Sequence, residues 1–200
     1  PLMDLHANKA DVAPDAALSD AELPFANLPR SVPRAPINWG AALRTLDGQA
    51  GRGKAPAAVK AAAGDPDIAA VLVQSQAISK ALADDKVHLE DLSFEHAPAA
   101  LWHRYALGER GAEITSLGEV SDEISLALVR ARLRSDPEFR ALAIRFAASY
   151  GRMLGRAATD LGADPKLVEI AETRPGRAFV LLGGLVGAFD PVADPKDDMA

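Results

Sequence analysis

Hydrophobic and polar positions along this chain fall into a helical rhythm from about residue 65 onward, and the rhythm is clearest between Pro137 and Leu161. At 100° per residue, Phe139, Leu142, Ala143, Phe146, Tyr150, Met153, Leu154 and Ala157 share one arc, the spacing of a buried helical face. Ala141, Ala148, Gly151, Gly155 and Ala158 form a second arc, where small side chains allow another backbone to come close. Arg145, Ser149, Arg152 and Arg156 form a third, which meets water or an anionic partner. A helix buried on two sides and basic on the third is expected at the centre of a helical assembly.

Helix starts are marked at Asp65-Pro66, Asp136-Pro137 and Asp164-Pro165, where a capping carboxylate precedes a proline that has no N–H to lose. The first predicts a helix to about Ala83, buried through Ile68, Val71, Leu72, Ile78 and Leu82. Pro98 opens a short helix through Leu101, Trp102 and Tyr105, stopped near Gly108. Ser116 with Glu119, or Ser121, starts another through Ile124, Leu128 and Leu133. Between Lys86 and Phe94 a short extended piece fits the pattern. The last element, Ala178 to Phe189, is apolar almost all round, and the 3-4-3 spacing of Phe179, Leu182, Val186 and Phe189 favours a core helix over a strand. Gly183 and Gly187 form a second small-residue notch, expected to pack against Gly151 and Gly155.

Residues 1 to about 40 behave differently. Pro14, Pro24, Pro29, Pro33 and Pro36 interrupt any helix, and Leu23, Phe25, Leu28, Val32, Ile37 and Trp39 keep no period. Leaving Leu23, Phe25, Leu28 and Trp39 in water forgoes about 1.5–3 kcal/mol each. The expectation is an extended arm lying on the domain or on a neighbouring subunit. The organisation read from sequence is an arm and Gly-rich linker over 1–56, a helical domain over 57–190 and an acidic tail over 191–200. The fold class is all-α, a compact bundle of about five helices with an irregular, Pro-rich N-terminal arm.

Composition agrees with that class. Apolar residues make up 48% of the chain but aromatic ones only 5%, and alanine, the strongest helix former, supplies roughly a fifth. The formal charge of −6 opposes whole-molecule attraction to nucleic acid, so a nucleic-acid partner is not expected. There is no cysteine for disulfides, thiolate chemistry or cysteine metal sites. No apolar run reaches the roughly 20 residues of a membrane span. The chain starts at Pro1, which points to processing or excision, and a removed export signal would leave no trace. Cytoplasmic location is expected over export.

Candidate chemistry is sparse. Gly48-Gln49-Ala50-Gly51-Arg52-Gly53-Lys54 has the spacing of a phosphate-binding loop. Ala55 follows where a hydroxyl would serve magnesium, and no β-strand precedes it, so it reads as a Gly-rich linker. His88, His96 and His103 with Glu90 and Glu95 supply metal-ligand types, but Pro98 leaves His96 outside the helix that carries His103. No metal and no cofactor is assigned. Ser75, Ser79, Ser125 and Ser149 lie in predicted helices, none in a nucleophile turn, and no catalytic residue is named.

The arginines are the remaining lead: Arg130, Arg132, Arg134, Arg140, Arg145, Arg152 and Arg156 make one region basic within an acidic chain. Acidic partners for them are available within the chain, including Asp15, Asp20, Glu22 and the C-terminal aspartates. The functional expectation is a non-enzymatic interaction or assembly module, an adaptor, regulatory or structural subunit, acting through a protein partner or as a homo-oligomer. Its expected contact residues are Leu23, Phe25, Leu28, Trp39, Arg145, Gly151, Arg152, Gly155 and Arg156. The alternatives are a helical enzyme or sensor with a small ligand or metal near Trp102, His103 and Tyr105, and an anion groove along Arg145, Arg152 and Arg156.

Overall fold

Alternating caps and apolar arcs resolve, in the computed structural model, into eight α-helices and one 3₁₀ turn over the residues it describes: 36–48, 65–94 and 97–190. They are α1 (Trp39–Leu46), α2 (Pro66–Asp84), α3 (Ala99–Ala106) and α4 (Ala112–Thr115), which runs into the 3₁₀ turn Ser116–Gly118. Then come α5 (Glu123–Ser135), α6 (Pro137–Leu161), α7 (Lys166–Glu172) and α8 (Arg174–Leu185). Among the described residues there is no strand, only an isolated antiparallel bridge between Phe94 and Val120. The expected count of five helices is therefore too low. The elements absent from the expectation, α1 and α4, are short.

Caps explain where the long helices begin. Asp65 accepts from the N–H groups of Asp67 and Ile68 at the start of α2, and Asp136 accepts from Phe139 N–H at the start of α6. For α5 the cap is Asp122 rather than Ser116 or Ser121; its Oδ1 takes the N–H groups of Ile124 and Ser125, and Oδ2 takes the Ser125 hydroxyl. These bonds hold the Asp122 carboxyl below the usual carboxylate range, first through the Ser125 hydroxyl. Thr173 turns α7 into α8 by donating to Ile170 O and accepting from Gly176 N–H.

Residues 39–46, read from sequence as part of an extended arm and linker, are helix α1 instead. Asn38 Oδ1 caps it through Ala41 N–H, and Trp39, Ala42, Leu43 and Leu46 (i, i+3, i+4, i+7) are buried in the common core. Trp39 Nε1 donates to Asp160 Oδ2 at 2.9 Å, tying the start of α1 to the end of α6.

The centre is α6. Phe146, Tyr150, Met153 and Leu154 on it are at most 1% exposed. Tyr150 stacks on Phe179 of α8, with ring centroids 4.4 Å apart and planes 21° from parallel. Phe179 in turn meets Phe189 edge-on at 5.3 Å, and Tyr105 of α3 closes the cluster 5.1 Å from Phe189. Helix α2 lies against α6 and runs antiparallel to it: Asp65, before α2, meets Arg156, and Asp85, after α2, meets Arg132 just before α6 starts.

Two expected faces differ from those observed. On α5 the buried residues are Leu126, Val129 and Leu133, whereas Ile124 and Leu128 are 76% and 43% exposed. The pattern holds two apolar arcs, and the core takes the other one. On α6 the small-residue arc is covered only at one end. A Cβ on Gly155 would sit 3.2 Å from Ala106 O of α3, while one on Gly151 would meet nothing within 4 Å among the described residues. Gly183 faces the Phe189 ring and Gly187 lies beyond α8 at φ +77°, so the expected notch-to-notch packing of these glycines does not form. Close backbone approach occurs elsewhere, where a Cβ on Gly118 would come within 2.9 Å of Gly184 Cα, and at Gly176, where a Cβ would lie 2.1 Å from Ala171 O.

Two predictions follow from this packing. Gly176→Ala should lower unfolding free energy by about 3 kcal/mol, since the methyl collides with main chain, whereas Gly151→Ala should raise it by up to about 1 kcal/mol through helix propensity. Denaturant titration of both variants checks the pair. The second concerns alkali. Burial pushes the Tyr150 hydroxyl, which donates to Ile170 O at 2.8 Å, well above the ordinary tyrosine range, and Tyr105 is pushed up to about 12, chiefly by burial. A raised acid is held neutral by the fold, so this stability is present below about pH 10 and falls as the unfolded chain ionises above it. Tyr150→Phe should cost about 1 kcal/mol at neutral pH and make the alkaline decline shallower, read by denaturant titration from pH 8 to beyond 11.

Candidate functional site

Of the arc of cations on α6, part is spent inside the fold. Arg156 pairs with Asp65, whose side chain is 7% exposed, and Arg152 Nε lies 3.0 Å from Asp67 Oδ1. Both carboxylates stand at the N-terminus of α2, where the helix dipole also favours negative charge. Ser149 is buried beside them and accepts from Arg152 Nη2 at 3.3 Å. The anion groove expected along Arg145, Arg152 and Arg156 is thus already occupied at two of its three positions by Asp65 and Asp67. Sequence reading took Asp65 for a cap alone; the carboxylate two residues on, Asp67, was the signal that α2 begins with a second charge. Arg132 behaves likewise, donating to Asp85 Oδ2 at 2.7 Å and Ala81 O at 2.8 Å while lying over the Phe139 ring.

Four arginines are left over. Arg130 and Arg134 on α5, and Arg140 and Arg145 on α6, are exposed and make no ion pair among the described residues. The same two helices, which pack on each other, expose Ile124 and Leu128 on α5 and Ile144, 39% exposed, on α6. On the helical wheel Ala141, Ile144, Ala148 and Gly151 share the outward arc, flanked by Arg140 on one side and Arg145 on the other. The outer sides of α5 and α6 thus carry exposed cations and exposed apolar side chains, together with the exposed carboxylates Glu123 and Glu138. Of the other expected contact residues, Trp39 is 5% exposed and belongs to the domain's own core. Leu23, Phe25 and Leu28 lie outside the described residues, as do Asp15, Asp20, Glu22 and the C-terminal aspartates at 194, 197 and 198.

Near Trp102 the structure forms a cleft of about 270 Å³ between the 92–97 segment, α3, α7 and α8. Trp102 is buried and edge-on to Tyr105. His103, named with Trp102 from sequence, does not line the cleft; the charged groups there are Glu172 and Arg177. Among the described residues no group of three or more His, Asp or Glu is placed to hold a metal ion; His96 and Glu95 lie outside them. Gly48 ends α1 at φ +70°, a turn that requires glycine, and the rest of the loop-like motif, residues 49–54, lies outside the described residues. The hydroxyls of Ser75 and Ser125 bond to Leu72 O and Asp122 Oδ2.

No described helix is long and apolar enough to cross a membrane. No family model, curated protein or solved structure matches the chain.

The buried pair and its exposed neighbour should separate on substitution. Arg156→Gln leaves Asp65 buried without its counter-ion and should cost about 3–5 kcal/mol, whereas Arg152→Gln, at a side chain 42% exposed, should cost less than about 1 kcal/mol. Chemical denaturation of the two variants checks this; equal costs would mean that Asp65 reaches water.

Proposed function

We propose that this chain is a non-enzymatic protein-interaction module whose docking surface is the outer side of α5 and α6. One observation carries the reading: Arg130, Arg134, Arg140 and Arg145 stand exposed without an ion pair among the described residues, on the same helices that leave Ile124, Leu128 and Ile144 in water. Exposed apolar area among like charges fits an occupant that combines carboxylates with apolar side chains. A second copy of the same face is a poor occupant, since its arginines would meet like charges.

The chain itself carries a segment of the required chemistry. Residues 10–29 hold Asp11, Asp15, Asp20 and Glu22, no lysine or arginine, and the apolar Leu23, Phe25 and Leu28. Reach supports its assignment. The bond from Trp39 to Asp160 brings the chain to the C-terminal end of α6. That helix of 25 residues is about 37 Å long at 1.5 Å per residue, and sixteen extended residues upstream of Pro36 span about 50 Å. The segment therefore reaches the face of its own molecule, or that of a second copy, which would make the module an assembly element.

Absence of cysteine makes the test clean. Phe25→Cys combined with Ile144→Cys should form a disulfide under mild oxidation, and a control pairing Phe25→Cys with Val73→Cys, on the outer face of α2, should not. Solution mass then tells closure within one chain from exchange between two. Adding Arg140→Glu and Arg145→Glu should reduce the cross-link severalfold. Equal cross-linking at both positions, or none at residue 144, removes the assignment.

A further inference from the structure

Independently of the α5–α6 surface, the cleft beside Trp102 has the chemistry of a ligand site. Its walls are Phe94, Trp102, Val168 and Val180, with Ala97 and Ala171 making room between them. About 270 Å³ sits at the lower edge of the range for small-molecule pockets, roughly 300–1,000 Å³, so the body must be small. Two of the lining side chains, Phe94 and Trp102, are aromatic and suit an aromatic body.

One cation is held at the mouth. Arg177 lies over the Phe94 ring, its guanidinium carbon 5.8 Å from the centroid, and its Nε donates to Glu172 O at 3.3 Å. Nη1 reaches Glu90 O at 3.5 Å. Two main-chain carbonyls and an aromatic face thus orient the guanidinium without using all five of its N–H groups. No carboxylate side chain pairs with Arg177 among the described residues. Arg177 also borders a neighbouring depression of about 330 Å³ with Glu90 and Arg174, so its outer edge faces open space. A planar fork aimed outward from an apolar pocket fits a carboxylate in bidentate fashion.

We propose that this cleft binds a small aromatic monocarboxylate, its ring between Phe94 and Trp102 and its carboxylate on Arg177. No bond is made or broken.

The test uses phenylacetate as probe and phenethyl alcohol as its uncharged counterpart, titrated against the full chain by calorimetry and by tryptophan fluorescence. Phenylacetate should bind saturably and quench or shift Trp102 emission, and the alcohol should bind at least tenfold more weakly. Arg177→Gln should weaken phenylacetate about tenfold, the size of one charged hydrogen bond, and leave the alcohol unchanged. Should Arg177→Gln disturb the fold, Ala97→Leu fills the cleft from its rim and should abolish binding of both probes. Failure of phenylacetate to bind, or equal binding of the alcohol, would overturn the assignment.

Discussion

The stack of Tyr150 on Phe179 is the contact that the rest of the molecule depends on. It joins the midpoint of α6 to the midpoint of α8, and the Tyr150 hydroxyl reaches on to Ile170 O, fixing α7 as well. Because the same carbonyl also accepts from Thr173, the turn from α7 to α8 is set at the point where α6 touches both. Phe146, Tyr105 and Phe189 close round this pair. A chain with few aromatic residues has thus gathered half of them into one cluster, where each adds directional preference to a large buried area. Alanine fills much of the remainder, so helices lie close and the core tolerates little added volume.

Charge is then placed around that core by necessity. Asp65 caps α2 and is buried, and a buried carboxylate must be paired or neutral. Arg156 supplies the pair across α2 and α6. This bond stabilises little against an apolar alternative, yet removing one side leaves the other stranded, so it specifies which end of α2 lies against which end of α6. Arg132 performs the matching service at the other end, through Asp85 and Ala81 O. Once these arginines are spent, the basic character expected of the whole region survives only on its outer side.

Legibility in the sequence followed how many signals agreed. Helix α6 was readable to the residue because Asp136-Pro137 starts it, Gly162 ends it and the apolar period runs unbroken between them. Helix α1 was hidden by prolines before it and glycines after it, although Asn38 and the spacing of Trp39, Ala42, Leu43 and Leu46 carried the information. The face of α5 was not decidable locally. Ile124 and Leu128 make as good a stripe as Leu126, Val129 and Leu133, and only the neighbours of the folded chain choose between them. Glycine is ambiguous for the same reason. Gly151 and Gly155 look alike in sequence, and one abuts Ala106 O while the other touches none of the described residues there. The cleft was half readable: Trp102 marked it, but Arg177 comes from an element some 75 residues away in the chain, and no local pattern links the two.

The proposed occupant of the α5–α6 surface, a segment of the chain itself, has one energetic advantage over a separate protein. Covering Ile124, Leu128 and Ile144 would gain about 1.5–3 kcal/mol per side chain at best, and four screened arginines add chiefly encounter rate and register. A separate partner must first offset the loss of translational and rotational freedom, estimated at about 4–15 kcal/mol, which would consume most of that gain. A segment already tethered at Trp39 avoids nearly all of it and works at an effective concentration in the millimolar range. On the proposed reading, tethering lets residues 10–29 make a contact that a free partner of equal size would make only weakly. A foreign partner would then need more apolar area, or more carboxylates, than that segment offers.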